Sequence, residues 1–130
     1  MAAGTFRDLT AYKKAFSLAM EIFELTKSFP KEEMYSLTDQ IRRCSRSVCT
    51  HIGEAYRKRQ YEAYFVSKAS DGDMENTETR VWLDFAHACK YITIEIKEKL
   101  DSRSEEVGKL LNHMIENPKK YARKSTNVVN

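Results

Sequence analysis

Six cations on one stretch of this chain are its residues best suited to chemistry: Arg42, Arg43 and Arg46, then Arg57, Lys58 and Arg59. Arginine carries a planar fork of donors that matches phosphate and carboxylate oxygens, and lysine a compact ammonium. On a helix, positions 42 and 46 share a face and 43 sits about 100° round it. Three uses are open to the first group: contact with phosphates, salt bridges to acids of another helix or a neighbouring subunit, or a solvated face. Tyr56, Tyr61 and Tyr64 flank the second group. Cations interleaved with aromatic rings hold single-stranded nucleic acid by backbone attraction and base stacking. Cations near a helix C-terminus also complement the helix dipole with no ligand at all. A third basic run, Lys119-Lys120-Tyr121-Ala122-Arg123-Lys124, reads as an electrostatic arm or as a solvated end.

The distribution of charge says more than its sum. Residues 36–60 carry six Lys/Arg against two acids, and 61–91 carry three against six, in a chain of formal net charge +3. Such segregation suits a polyanion, or the pairing of one helix with another.

Other chemistry finds little support. His51, His87 and His113 fall on three predicted helices with no HExxH context. A di-iron bundle needs Glu-x-x-His on two helices, and the sole acid three residues before a histidine is Asp84, ahead of His87. Gly4, Gly53, Gly72 and Gly108 are dispersed, and no GxGxxG, P-loop or GxSxG occurs. Cys44, Cys49 and Cys89 are an odd count without CxxC spacing, which reads as free thiols packed as small hydrophobes. Phe65, Trp82, Phe85 and Tyr91 read as core or subunit interface rather than a ligand box. No catalytic residue, cofactor or metal is expected, and the chain is read as a non-enzyme.

The elements that must position the cations are helices. With 130 residues, 42% apolar and 32% charged, the chain is one ordinary domain that needs no disulfide or metal to hold a core. Four Gly and two Pro are too few for a many-stranded sheet. Helical spacing runs from about Leu9 to Phe29, with Asp8 or Thr10 as cap and Pro30 as stop. Ser36 with Asp39 predicts the start of a second helix whose stripe is Leu37, Ile41, Cys44, Val48, Ile52 and Ala55, small enough for a tight helix seam. Tyr61 to Tyr91 predicts a third helix roughly 45 Å long. One of its faces runs through Tyr64, Phe65, Ala69, Gly72, Asn76, Thr79, Leu83 and Ala86; a second runs through Met74, Glu78, Val81, Phe85, Ala88 and Ile92. Two apolar-leaning faces imply more than one partner helix, and Gly72 implies a bend or a close contact. Thr93 caps a fourth helix that Pro118 ends. The fold class is therefore all-α, an antiparallel up-and-down four-helix bundle over residues 1–117, with a basic tail over 118–130 expected to be disordered. Met1 to Thr5 lacks an apolar signal stretch, and no run approaches the ~18 apolar residues of a membrane span. A cytoplasmic location is expected.

Several stretches resemble one known family: Phe6-Arg7-Asp8-Leu9; Phe29-Pro30 with Glu33, Tyr35 and Leu37; Gln40-Ile41-Arg42-Arg43-Cys44 with Ser47-Val48; Ile52-Gly53-Glu54-Ala55 with Arg57; and Glu78-Thr79 with Leu83 and Ala86. They resemble the 23S ribosomal RNA intervening-sequence proteins, over about residues 6–117. The resemblance implies a four-helix bundle assembling into a ring-like homopentamer without enzymatic activity. A related branch, accessory proteins of diversity-generating retroelements, binds nucleic acid and a reverse transcriptase. The chain departs from the family's usual Trp at Tyr12, and from its common Asn-Ile-Ala-Glu-Gly at His51-Ile52-Gly53-Glu54-Ala55.

The expected function is a non-enzymatic oligomeric scaffold that binds RNA or single-stranded nucleic acid through basic surfaces. The alternative is a protein-interaction adaptor whose basic helix serves subunit assembly, with no nucleic-acid role.

Overall fold

The structure, a computed structural model, describes residues 4–123. Four helices carry the fold: α1 (Thr10–Thr26), α2 (Leu37–Arg57), α3 (Glu62–Ala88) and α4 (Ile94–Glu116). Short 3₁₀ turns at Phe6–Asp8, Lys31–Glu33 and Pro118–Lys120 flank them. No helix among the described residues is long and apolar enough to cross a membrane.

Cross-helix pairs fix the direction of each helix. Gly72 meets Leu111, Asn76 meets Ser104, and Asp84 meets Lys97, so α3 and α4 run antiparallel. Cys44 with Thr79 and Glu54 with Lys68 do the same for α2 and α3. Thr26 with Arg42 orders α1 against α2, and Lys14 with Glu106 orders α1 against α4. The result is an up-and-down bundle closed by α1 on α4. Its core is built from fully buried Ile22, Ile41, Ile52, Phe65, Leu83, Leu100 and Leu111. Leu→Ala at such a site costs about 2–5 kcal/mol.

Polar groups in the core are paired. Asn76 Nδ2 donates to the Ser104 carbonyl at 2.9 Å, and Ser104 Oγ returns a bond to Asn76 Oδ1 at 3.0 Å. This reciprocal pair fixes the register of α3 on α4, because a slip would strand two buried amide atoms. Gly72 is the close contact its sequence position implies: a Cβ there would lie 3.4 Å from the His51 Cβ and 3.6 Å from Leu111.

Helix termini differ from the sequence reading in two places. Ser36 makes no side-chain cap to α2. Glu33 does that work: its Oε1 accepts from the Leu37 N–H at 3.3 Å and from Ser36 Oγ at 2.6 Å, and its Oε2 accepts from Tyr91 Oη at 2.8 Å. A carboxylate at a helix N-terminus is favoured by the dipole. Those donors hold the Glu33 carboxyl below its ordinary range, and they push the Tyr91 hydroxyl up to about 12. Asp8 and Thr10 do not cap α1 either. Asp8 pairs with Thr5 in a capping box around the first 3₁₀ turn. Thr93 caps α4 as read, accepting from the Ile96 N–H at 3.2 Å.

Only one face of α3 is covered. Phe65, Ala69, Gly72, Asn76, Thr79, Leu83 and Ala86 are buried, while Met74, Val81 and Phe85 on the second face are exposed. The chain therefore supplies no partner helix for that second stripe. The expected tail also begins later than residue 118. Pro118–Lys120 forms a turn, and Tyr121 stacks on Phe65 at 5.5 Å and bonds His113 Nδ1 at 2.7 Å. An aromatic ring with a core face to cover outweighs the polarity of its neighbours. Lys124 and the residues beyond it lie outside the described residues.

Candidate nucleic-acid interface

The first arginine group is held against α1. Arg42 is half-buried, and its Nε donates to Thr26 Oγ1 at 2.8 Å while its guanidinium lies 4.7 Å from the centre of the Phe23 ring. Arg46 approaches the same ring at 5.3 Å. Phe23 and Thr26 belong to the last turn of α1, so both cations sit where a helix dipole is negative and a ring face is exposed. Arg43 points elsewhere and lies 3.9 Å from Asp39 of its own helix. No salt bridge joins these three arginines to an acid of α3 among the described residues. The reason is helical phase: Arg42 and Arg46 face α1, and the α3 acids have other partners. Glu75 accepts from Ser47 at 3.2 Å, and Asp84 lies 3.1 Å from Lys97.

The second cationic group stands at the open end of the molecule, where α2 stops and the N-terminal segment crosses it. The Thr5–Asp8 capping box turns the chain so that Phe6 packs edge-on against Tyr12 at 5.0 Å and lies over Gly53. A Cβ on Gly53 would stand 3.7 Å from the Phe6 ring, so Gly53 faces this N-terminal turn rather than a helix seam. Tyr56 Oη donates to the Gly4 carbonyl at 3.4 Å. Lys58 ends α2 with its Nζ 5.5 Å from the Tyr61 ring centre and 5.6 Å from that of Tyr64. Arg59 stacks on Tyr56 at 4.0 Å and donates to the Tyr56 carbonyl at 2.8 Å.

Two grooves flank the Phe6–Gly53 contact. One, of about 480 Å³, is largely apolar and is lined by Phe6, Tyr12, Cys49, Gly53 and Tyr64, with Lys58 at its edge. Glu54 is the one acid among its lining residues, and Lys68 Nζ stands 3.4 Å from that carboxylate. The other groove, of about 640 Å³, is lined by Arg7, Arg57, Arg59 and Arg123 together with Phe6 and Tyr56, and by no acid. None of its four guanidinium groups forms a salt bridge among the described residues. Four such groups around one hollow repel one another and raise the local potential for an anion.

Arg57, Lys58 and Arg59 are thus brought together, and Arg42, Arg43 and Arg46 stay apart from them. Sequence reading missed Phe6, Arg7, Tyr12 and Arg123 as members of this end. The Thr5-x-x-Asp8 spacing is the signal that placed Phe6 and Arg7 in a fixed turn. Arg123 had none, since its place depends on Tyr121 docking on Phe65 and on its own N–H donating to Gln60.

The remaining candidates stay structural. His51 lies at the α2–α3 seam, 3.4 Å from Glu54. Among the described residues no group of three or more His, Cys, Asp and Glu is placed to hold a metal ion. Cys44 and Cys49 are buried, which pushes both thiols up to about 11, out of the reactive range. Cys89 is exposed, against the expectation of a packed thiol, because it lies just past the end of α3 before the left-handed Lys90.

The 23S rRNA-intervening sequence protein family matches residues 7–113. A crystal structure of a protein from the S23 ribosomal protein family of Bacteroides thetaiotaomicron VPI-5482 superposes with a TM-score of 0.75 at 31% identity, covering 85% of this chain and 98% of that one. No curated protein matches the chain. The four-helix architecture, the family match over most of the chain and the solved neighbour agree: the chain belongs to the 23S rRNA-intervening sequence protein family.

Proposed function

We propose that this protein is a non-enzymatic oligomeric scaffold that binds RNA or single-stranded nucleic acid through the basic surface at the C-terminal end of α2. The observation that carries this reading is the hollow lined by Arg7, Arg57, Arg59 and Arg123 with no carboxylate on its wall. Within a folded chain, cations are normally neutralised by neighbours or spread over a surface; here they converge and stay unpaired. Phosphodiesters are the polyanion such a convergence fits. The family's printed association with ribosomal RNA supports the same polymer. Self-assembly is part of the reading. Phe16, Met20, Met74, Val81 and Phe85 leave apolar surface exposed on α1 and α3, on different sides of the bundle, as head-to-tail contacts in a ring require. The resemblance implies five copies, and repetition multiplies weak sites by avidity.

Anisotropy of a labelled unstructured RNA, titrated with protein across a salt series, tests the binding reading. Affinity should fall steeply as salt rises, and no binding of any RNA at ~50 mM salt would remove the proposal. Multi-angle light scattering tests assembly, with a monomer as the adverse result.

A second reading is a protein-interaction adaptor without a nucleic-acid role. The exposed Met74, Val81 and Phe85 stripe favours it. In that case Arg42 and Arg43 serve assembly, and reversing both charges dissociates the oligomer. A double variant that keeps its full size on a sizing column would count against it.

A further inference from the structure

We infer that the two grooves beside Gly53 form a single site for one unpaired nucleotide of RNA, its base in the apolar groove and its phosphate in the arginine-lined one. This inference rests on the nucleic-acid reading above and adds to it where and how the chain is held. Three observations carry it.

The first is the division of chemistry. Phe6, Gly53 and Arg57 line both grooves, so the two hollows are adjacent halves of one feature. One half offers ring faces and edges from Phe6, Tyr12 and Tyr64; the other offers four guanidinium groups and no acid. A nucleotide has the same division: a flat apolar-faced base joined through a sugar to a phosphate. A peptide phosphate would use the arginine half and leave the aromatic half empty. A duplex would reach the arginines, but its bases are stacked away from any protein ring.

The second observation is Gly53. With no side chain, it leaves an open path between the halves at the place a sugar must cross. Its Cβ position has room, 3.7 Å from Phe6, so a methyl group would fit and a larger side chain would extend into the hollows. The third is Thr50 on the rim of the apolar groove. Its hydroxyl proton goes to the Ser47 carbonyl at 2.9 Å, which leaves oxygen lone pairs to accept from outside. A ribose 2′-hydroxyl can donate there, and deoxyribose has nothing to offer.

The ring of Tyr64 is the most accessible of the three, 46% exposed on the first turns of α3, where its loss cannot empty the core. Lys58 and Lys68 hold their ammonium groups 5.6 and 5.7 Å from that ring, which keeps it at the groove mouth.

The test uses the full chain and a fluorescein-labelled ten-nucleotide uridylate RNA, with the thymidylate DNA and an RNA duplex of equal length as comparison probes. The wild type should bind the RNA strand at least several-fold tighter than either. Tyr64→Leu should weaken the RNA strand about tenfold with an unchanged salt slope, since stacking releases no counterions. Arg59→Ala should lower that slope by about one. Gly53→Leu should abolish strand binding, and Gly53→Ala should keep most of it, which separates blocked space from a damaged helix. If the wild type binds none of the probes at low salt, the nucleic-acid function itself fails. If it binds but Tyr64→Leu and Gly53→Leu bind equally well, or duplex and single strand bind alike, the nucleotide site fails and the broader function stands. Equal affinity for RNA and DNA strands overturns the assignment of ribose.

Discussion

The two ends of α2 carry the same kind of residue and do opposite things with it. Near the start, Arg42 donates to Thr26 and stacks with Arg46 over Phe23, so these cations brace α1 against α2. At the far end, Arg57 and Arg59 converge with Arg7 and Arg123 on a hollow that holds no acid. Both groups lie in the same basic stretch of sequence, and both have aromatic neighbours. The difference is what the guanidinium donors meet. A helix C-terminus and a buried-edge ring satisfy the first group inside the subunit. The second is left with unsatisfied donors facing solvent. Count of charge thus says little about a site; the fate of the donors decides.

Four experiments would break or sharpen that contrast. The largest effect belongs to the open end. Arg57→Ala with Arg59→Ala should cost about a hundredfold in affinity for single-stranded RNA, because charge-assisted bonds contribute about 1.5–3 kcal/mol each. Its urea midpoint should not move, since neither side chain braces a helix. A double variant that unfolds early while binding normally would reverse the assignment of the two ends.

Next in size is Arg42→Ala. It should lower unfolding free energy by about 1 kcal/mol, from the lost bond to Thr26 and the lost stacking on Phe23. RNA affinity should be unchanged. A fall in affinity equal to that of the Arg57 and Arg59 variant would show that the closed end also meets the ligand.

A pH series sharpens the comparison further. Glu33 accepts three bonds at the closed end, and its folded value lies below the ordinary 4.5. Its contribution is fully present above the unfolded value and is lost as pH falls through the lower folded one. Thermal midpoints should drop in that acid range, and Glu33→Gln should flatten the drop there while lowering stability at neutral pH. Tyr91 has the opposite sign. Its hydroxyl is raised to about 12, so its contribution holds below about 10 and fades as pH passes the folded value.

The smallest effect is expected from Arg43→Ala. This exposed side chain has only a 3.9 Å contact with Asp39 on its own helix, and unfolding should shift by less than about 0.5 kcal/mol. A larger loss on chemical denaturation, or a smaller assembly by light scattering, would mark Arg43 as a subunit contact.

Periodicity alone determined four helices, the buried stripe of α2, and the covered face of α3 down to Asn76 and Thr79. Local pattern suffices there, because residues three and four apart must share a face whatever the helix packs against. The charge segregation and the pairing of Arg57 to Arg59 with tyrosines were equally legible. Tertiary structure alone decided the rest. Whether Arg42 faces an acid or Phe23 depends on the rotation of α2 against α1, which no local rule sets. Glu33 replaced Ser36 as the cap of α2 because Tyr91, 58 residues away in the chain, supplies a partner for its second oxygen. Arg7 and Arg123 meet at one hollow because the first 3₁₀ turn folds over Gly53 and Tyr121 docks on Phe65. Sequence specifies contacts that recur every helical turn; a site assembled from both chain ends exists only once packing has brought those ends together.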